Sequence, residues 1–78
     1  MPDQLTSTIL DLRGLLCPLP ALRTRKALRQ IATGDLLIVE CTDPLAVIDI
    51  PHLVREQGDL LELQESGAGV HRFHIRRG

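Results

Sequence analysis

Hydrophobic and polar positions recur along this chain with two different periods, and the places where the period changes mark the elements. Thr8 to Leu12 reads as a first strand, with Leu10 and Leu12 facing one way and Ile9 the other. From Pro18 to Ala32 the period lengthens. Ala21, Thr24, Ala27, Leu28, Ile31 and Ala32 then recur at helical spacing and form one apolar stripe. Thr33-Gly34-Asp35 ends that helix, with Gly34 suited to a left-handed cap. Leu36 to Cys41 is short, apolar and β-branched at its centre, which predicts a buried strand. Thr42-Asp43-Pro44 is a helix-start signal, and Leu45 to Gln57 is helical in pattern, with Ala46, Ile50, Leu53 and Val54 as its core positions. Pro51 removes a hydrogen-bond donor inside that pattern. The expectation is therefore a short turn at 44–49 and a helix from about Ile50 to Gln57, capped by Asp49. Leu60 to Glu65 reads as a strand with one wet face, alternating from Leu61 on, and Ser66-Gly67-Ala68-Gly69 as a hairpin loop. Val70 to Arg77 reads as the last strand, with His71, Phe73 and Ile75 on one face and Arg72, His74 and Arg76 on the other.

Strand, helix, strand, helix, strand, strand is the order of an α+β two-layer sandwich, in which two helices cover one face of a four-stranded mixed sheet. The 78 residues make one small domain, residues 1–78, with residues 1–7 expected to fray. An apolar share of 44% is too high for disorder, and one Phe with no Trp or Tyr makes the expected core aliphatic. The longest apolar runs are four residues, too short for a membrane span. The first seven residues carry neither a basic stretch nor a long apolar one, so no signal peptide is expected and the expected compartment is the cytoplasm.

The net charge of −1 hides an uneven distribution. Arg13, Arg23, Arg25, Lys26 and Arg29 form a basic block with no acid among them, whereas the acids from Asp35 to Glu65 face a single base, Arg55. Helices ordinarily mix both signs, so Arg23, Arg25, Lys26 and Arg29 on one helix suggest a docking surface for acidic partners. A nucleic acid is the competing use. The absence of aromatics for base stacking and the net charge argue against it.

Two cysteines, Cys17 and Cys41, are too few and too far apart for a disulfide framework, and a reducing compartment with one working thiol is the simpler reading. Gly14 supplies the backbone freedom for a sharp turn, and Pro18 suits a first helical position. Pro18 also pushes Cys17 out of the α region, which makes Cys17 the expected cap of the first helix. Pro20 removes a further donor and leaves the Leu19 N–H as the natural partner of the sulfur. The positive helix end, with Arg13 on the same loop, is expected to lower the thiol pKa. Cys41, at the end of a buried strand, is expected to pack. His71 and His74 point to opposite faces of their strand, so no metal site is expected.

The stretch Cys17-Pro18-Leu19-Pro20 resembles the Cys-Pro-x-Pro signature of the TusA (SirA-like) sulfur-carrier family, with Leu19 where many members carry an acidic or polar residue. The resemblance extends over Lys26-Ala27-Leu28, Gly34-Asp35, Asp43-Pro44, Asp49-Ile50-Pro51 and Arg72-Phe73-His74-Ile75-Arg76, and so covers the chain from about Leu10 to Arg77. It implies the sandwich fold already read from the pattern. It also implies a sulfurtransferase with Cys17 as the catalytic thiol, a covalent persulfide intermediate and no cofactor. The implied donor is a cysteine desulfurase or a rhodanese-like protein, and the implied acceptor another sulfur-relay protein. Thr42 stands where the family usually has a first acid before the Pro. Two alternatives from other classes remain: a small RNA-binding or regulatory module, and a redox protein that cycles a Cys17–Cys41 disulfide.

Overall fold

The computed structural model of the chain describes residues 6–78, so most of the segment expected to fray lies outside the described residues. The elements run β1 (Ser7–Leu12), α1 (Leu19–Gln30), β2 (Leu36–Cys41), α2 (Ala46–Glu56), β3 (Leu60–Gly67) and β4 (Val70–Arg76). They form one four-stranded sheet in the order β1-β2-β4-β3. β1 and β2 are parallel, and the other two pairings are antiparallel. The expected mixed sheet with two helices is therefore present. β1 begins at Ser7 rather than Thr8 because Ser7 pairs with Leu36 and the Leu36 N–H donates to the Thr6 carbonyl at 2.9 Å.

Strand periodicity places the core. Leu37, Val39 and Cys41 of β2 and Phe73 and Ile75 of β4 are buried on one face, with Leu12 of β1 beside them. Thr24 and Leu28 of α1 are buried against that face, and so are Ala46, Ile50, Leu53 and Val54 of α2. The expected stripe of α1 holds through Ile31, but Ala32 is exposed and the helix ends at Gln30, with Ile31 extended. Asp35 ends it: its Oδ2 accepts the Ala32 N–H at 3.1 Å, and its own N–H donates to the Ala32 carbonyl at 3.0 Å. Gly34 has the positive φ, 93°, expected of it.

Three further expectations are corrected. α2 runs unbroken from Ala46 to Glu56 through Pro51, instead of starting at Ile50, and its N-cap is Leu45 rather than Asp49. The missing Pro51 N–H leaves the Val47 carbonyl without its helical donor, on a residue that is itself exposed. The tight turn expected at 44–49 survives as a tightened entry, in which the Ala46, Val47 and Ile48 N–H groups bond three residues back to Asp43, Pro44 and Leu45. In β3, a register shift between Leu61 and Leu63 interrupts the alternation. Leu61 packs on the core, while Leu63 comes opposite His74 and is half exposed. A bulge with one extra residue reverses the facing of everything after it. Ala68 and Gly69 alone make the hairpin turn, both with positive φ, so β3 runs on to Gly67, two residues past its expected end, while β4 keeps its expected start at Val70 and ends at Arg76 rather than Arg77.

The sheet's other face carries Ile9, Ile38, His74 and Leu63 in one cross-strand row. Around it, Arg72 pairs with Glu40 at 2.8 Å, Arg76 with Glu62 at 3.0 Å and His74 with Glu65 at 3.1 Å. Among the described residues, no helix is long and apolar enough to cross a membrane.

Phe73, the chain's single aromatic residue, is fully buried in the middle of this core. Phe73→Ala is expected to lower the unfolding free energy by about 3–5 kcal/mol, measured by urea titration, because the surrounding side chains collapse only in part into the cavity.

Candidate functional site

The parallel pairing of β1 with β2 ends at Leu12 opposite Cys41, so the loops that follow leave the same end of the sheet side by side. In the first loop Gly14 turns the chain at φ 86°, and its N–H donates to Thr42 Oγ1 at 2.8 Å. Three residues on, the Cys17 N–H donates to Asp43 Oδ2 at 2.6 Å. The other oxygen of Asp43 accepts the Leu45 N–H at 3.1 Å, so one carboxylate ties Cys17 to the entrance of α2. Thr42, despite replacing the expected acid, is thus a direct partner of the cysteine loop.

The sulfur's surroundings differ from the sequence reading. α1 begins at Leu19 with Pro18 as its N-cap, and Cys17 precedes the cap. The Leu19 N–H donates to the Leu16 carbonyl at 2.9 Å, not to the sulfur, and Pro18 and Pro20 have no N–H to offer. Pro20 itself is buried. Arg13 is held away by Asp11, which accepts its Nε at 2.9 Å and its Nη2 at 3.0 Å. The same guanidinium lowers the Asp11 pKa to about 2. Cys17 is exposed, and its Sγ donates to Asp49 Oδ2 at 3.3 Å, from the first turn of α2.

That contact reverses the expected sign of the thiol's pKa. The hydrogen bond to Asp49 raises it above the ordinary thiol value, with desolvation and the charges of Asp49 and Asp43 adding to the effect. A helix N-terminus offers roughly half a positive charge, and here the two prolines strip it of donors. A full negative charge in hydrogen-bond contact outweighs it. Cys17 therefore rests as a protonated thiol beside a carboxylate.

Cys41 packs as expected: it is fully buried, and burial pushes its thiol pKa up to about 11. His71 bonds Ser66 at 2.8 Å and His74 bonds Glu65 at 3.1 Å, on opposite faces of β4 as expected, while His52 lies 3.3 Å from Glu56. Arg23, Arg25, Lys26 and Arg29 are exposed on α1. Among the described residues, none of the four stands in an ion pair. Arg23 and Lys26 line a cleft of about 500 Å³ with Leu10, Ala27 and Gln30.

Two features escaped the sequence reading. Asp43 and Asp49 read as helix caps, because nothing local says that their carboxylates meet a residue 26 and 32 positions earlier. Leu16, Leu19, Leu45 and Ile48, within two residues of Cys17, Asp43 or Asp49 along the chain, are exposed apolar side chains, at 68%, 42%, 51% and 67% exposure. Their signal was present, since all four lie off the two core stripes. Alkylation of the folded protein by iodoacetamide is expected to follow a Cys17 ionisation above the ordinary thiol range of about 8.5. Asp49→Asn is expected to move that profile to lower pH, while Cys41 stays unmodified until the protein unfolds. A parent profile at or below the ordinary range overturns this electrostatic account.

Comparisons with known proteins bear on the family and the fold. The family described as Sulfurtransferase TusA matches residues 8–77. The sulfur carrier protein TusA of Allochromatium vinosum is 41% identical over 69 residues, 87% of this chain and 90% of its own. The YrkI protein of Bacillus subtilis is 38% identical over 71 residues, 90% of this chain and 93% of its own. The crystal structure of a SirA-like protein from Desulfitobacterium hafniense superposes with a TM-score of 0.80 at 25% identity, covering 91% of this chain and 97% of that one. The chain belongs to the sulfurtransferase TusA family.

Proposed function

We propose that this protein relays sulfur as a persulfide on Cys17. The observation that carries the reading is the placement of an exposed thiol on the loop from the end of β1 into α1, its backbone clamped by Asp43, within the Cys-Pro-x-Pro stretch. The thiolate of Cys17 attacks the outer sulfur of a donor protein's persulfide. A new S–S bond forms, the donor's S–S bond breaks, and its electron pair stays on the donor cysteine, which takes up a proton. The sulfur passes on to an acceptor cysteine by the same exchange, so no net oxidant or reductant is needed and no cofactor takes part. The donor is a cysteine desulfurase or a rhodanese-like protein, the acceptor is a further sulfur-relay protein, and the reaction belongs to the cytoplasm.

The basic face of α1 supports a steering role. Arg23, Arg25, Lys26 and Arg29 follow Cys17 along one exposed helix face region without ion-pair partners among the described residues. Unneutralised charge next to a reactive group raises the association rate with an acidic partner.

Incubation with a cysteine desulfurase and cysteine is expected to add sulfur mass to the parent, removable by reductant. Cys17→Ser is expected to abolish that gain, and Cys41→Ser to keep it. Loading of Cys17→Ser at the parental level refutes the assignment. Reversing Arg25 and Arg29 to Glu is expected to slow loading at low salt, the difference shrinking as the screening length falls below about 10 Å. A double reversal that abolishes RNA retention and leaves protein-to-protein transfer unchanged identifies the basic face as a nucleic-acid surface instead.

A further inference from the structure

We propose that Asp49 is a catalytic residue of the relay, the group that takes the proton from the Cys17 thiol when donor sulfur arrives and returns it to the departing donor sulfur. The inference rests on the persulfide reading of Cys17 and adds to it the proton's route.

The geometry distinguishes Asp49 from every other charged group at the site. From the loop before α2, Asp43 faces Cys17, but its two carboxylate oxygens are engaged by the Cys17 and Leu45 N–H groups at 2.6 and 3.1 Å. Asp43 therefore positions the backbone. From the cysteine's own loop, Arg13 is held by Asp11 at 2.9 Å. From α2, Asp49 touches the sulfur itself at 3.3 Å, and among the described residues that is the single hydrogen bond of its carboxylate. Its carboxylate is only partly exposed and sits in the first turn of a helix whose buried stripe, Ala46, Ile50, Leu53 and Val54, fixes its position against the sheet. A general base must lie within hydrogen-bond reach of the proton it removes, and this one already does in the resting protein.

The step balances. Cys17 gives its proton to Asp49, and the resulting thiolate attacks the outer sulfur of the donor persulfide. The S–S bond of the donor breaks with its electron pair on the inner sulfur, which takes the proton back from Asp49. The products are a Cys17 persulfide, a donor thiol and the Asp49 carboxylate. The same contact has a second consequence: away from a partner, the negative carboxylate disfavours free thiolate, so Cys17 stays in its less nucleophilic form toward stray electrophiles.

These two consequences have opposite signs in one variant, which makes the test decisive. Asp49→Asn and the parent are compared in two reactions at neutral pH: alkylation by iodoacetamide, and loading from glutathione persulfide, followed by intact mass. Asp49→Asn is expected to alkylate faster than the parent and to load about tenfold or more slowly, with Asp49→Glu recovering part of the loading rate. Loading that is unchanged or faster in Asp49→Asn overturns the proposal, because the carboxylate then does no more than suppress the thiolate. If Asp49→Asn does not fold, the parent alone decides. Alkylation through free thiolate falls about tenfold per pH unit below the thiol pKa, whereas loading assisted by Asp49 is expected to change much less between pH 8 and 6.5. Parallel slopes overturn the proposal. Cys17→Ser carried alongside separates the two readings: if it loads as the parent does, the site assignment has failed, not the role of Asp49.

Discussion

The hydrogen bond from the Cys17 N–H to Asp43 is the constraint on which the rest of the site depends. It joins two loops that are distant in sequence but emerge together because β1 and β2 are parallel and end in register at Leu12 and Cys41. A hydrogen bond to an ionised acceptor is worth more than a neutral one, and leaving that carboxylate unpaired in the 7%-exposed Asp43 would cost more still. Fixed in this way, the chain has little freedom between Gly14 and Leu19. The position of the sulfur follows from the backbone rather than from side-chain packing.

The consequence for chemistry is a thiol placed between a helix start and a helix side. The start of α1 brings Cys17 to the surface, yet its two prolines leave it poor in donors. The side of α2 brings a full charge into contact with the sulfur. Magnitude settles the competition: an adjacent carboxylate exceeds half a charge spread over a donor-poor helix end. The resulting thiol is accessible but protonated. Such a group suits a protein that must exchange sulfur with chosen partners and ignore other electrophiles. The exposed Leu16, Leu19, Leu45 and Ile48 lie on the residues that flank the thiol and its two carboxylates, while the basic residues of α1 extend away from it along the helix.

The two faces of the sheet show how a chain of this size economises. One face carries almost the whole core, through β2 and β4 at its centre. The other is held by the cross-strand ion pairs Arg72–Glu40 and Arg76–Glu62 and the hydrogen bond between His74 and Glu65, around a row of Ile9, Ile38 and Leu63. Surface pairs of this kind contribute little stability, so the fold rests on the single layer between sheet and helices.

Element order, both helical stripes, the buried strand at Leu36–Cys41 and the location of the thiol were legible in the sequence, since each is written in local periodicity or in a Pro or Gly with a fixed backbone preference. Local rules failed where a neighbour overrode them. Pro51 reads as a break, but burial of the stripe on both sides of it holds α2 together across one missing hydrogen bond. Leu60 to Glu65 reads as alternating from Leu61 on, but a bulge between Leu61 and Leu63 that no local signal announces interrupts the alternation. The pKa of Cys17 reads as lowered, because the sequence displays the helix end and the nearby Arg13 and hides both Asp11's hold on that arginine and Asp49's contact with the sulfur. The sequence by itself determined where the exposed thiol lies and which fold presents it. The tertiary structure alone decided the direction in which the Cys17 pKa moves, because electrostatic contact depends on distance in space, and Asp49 comes within 3.3 Å of Cys17 only after 32 residues of chain have folded back.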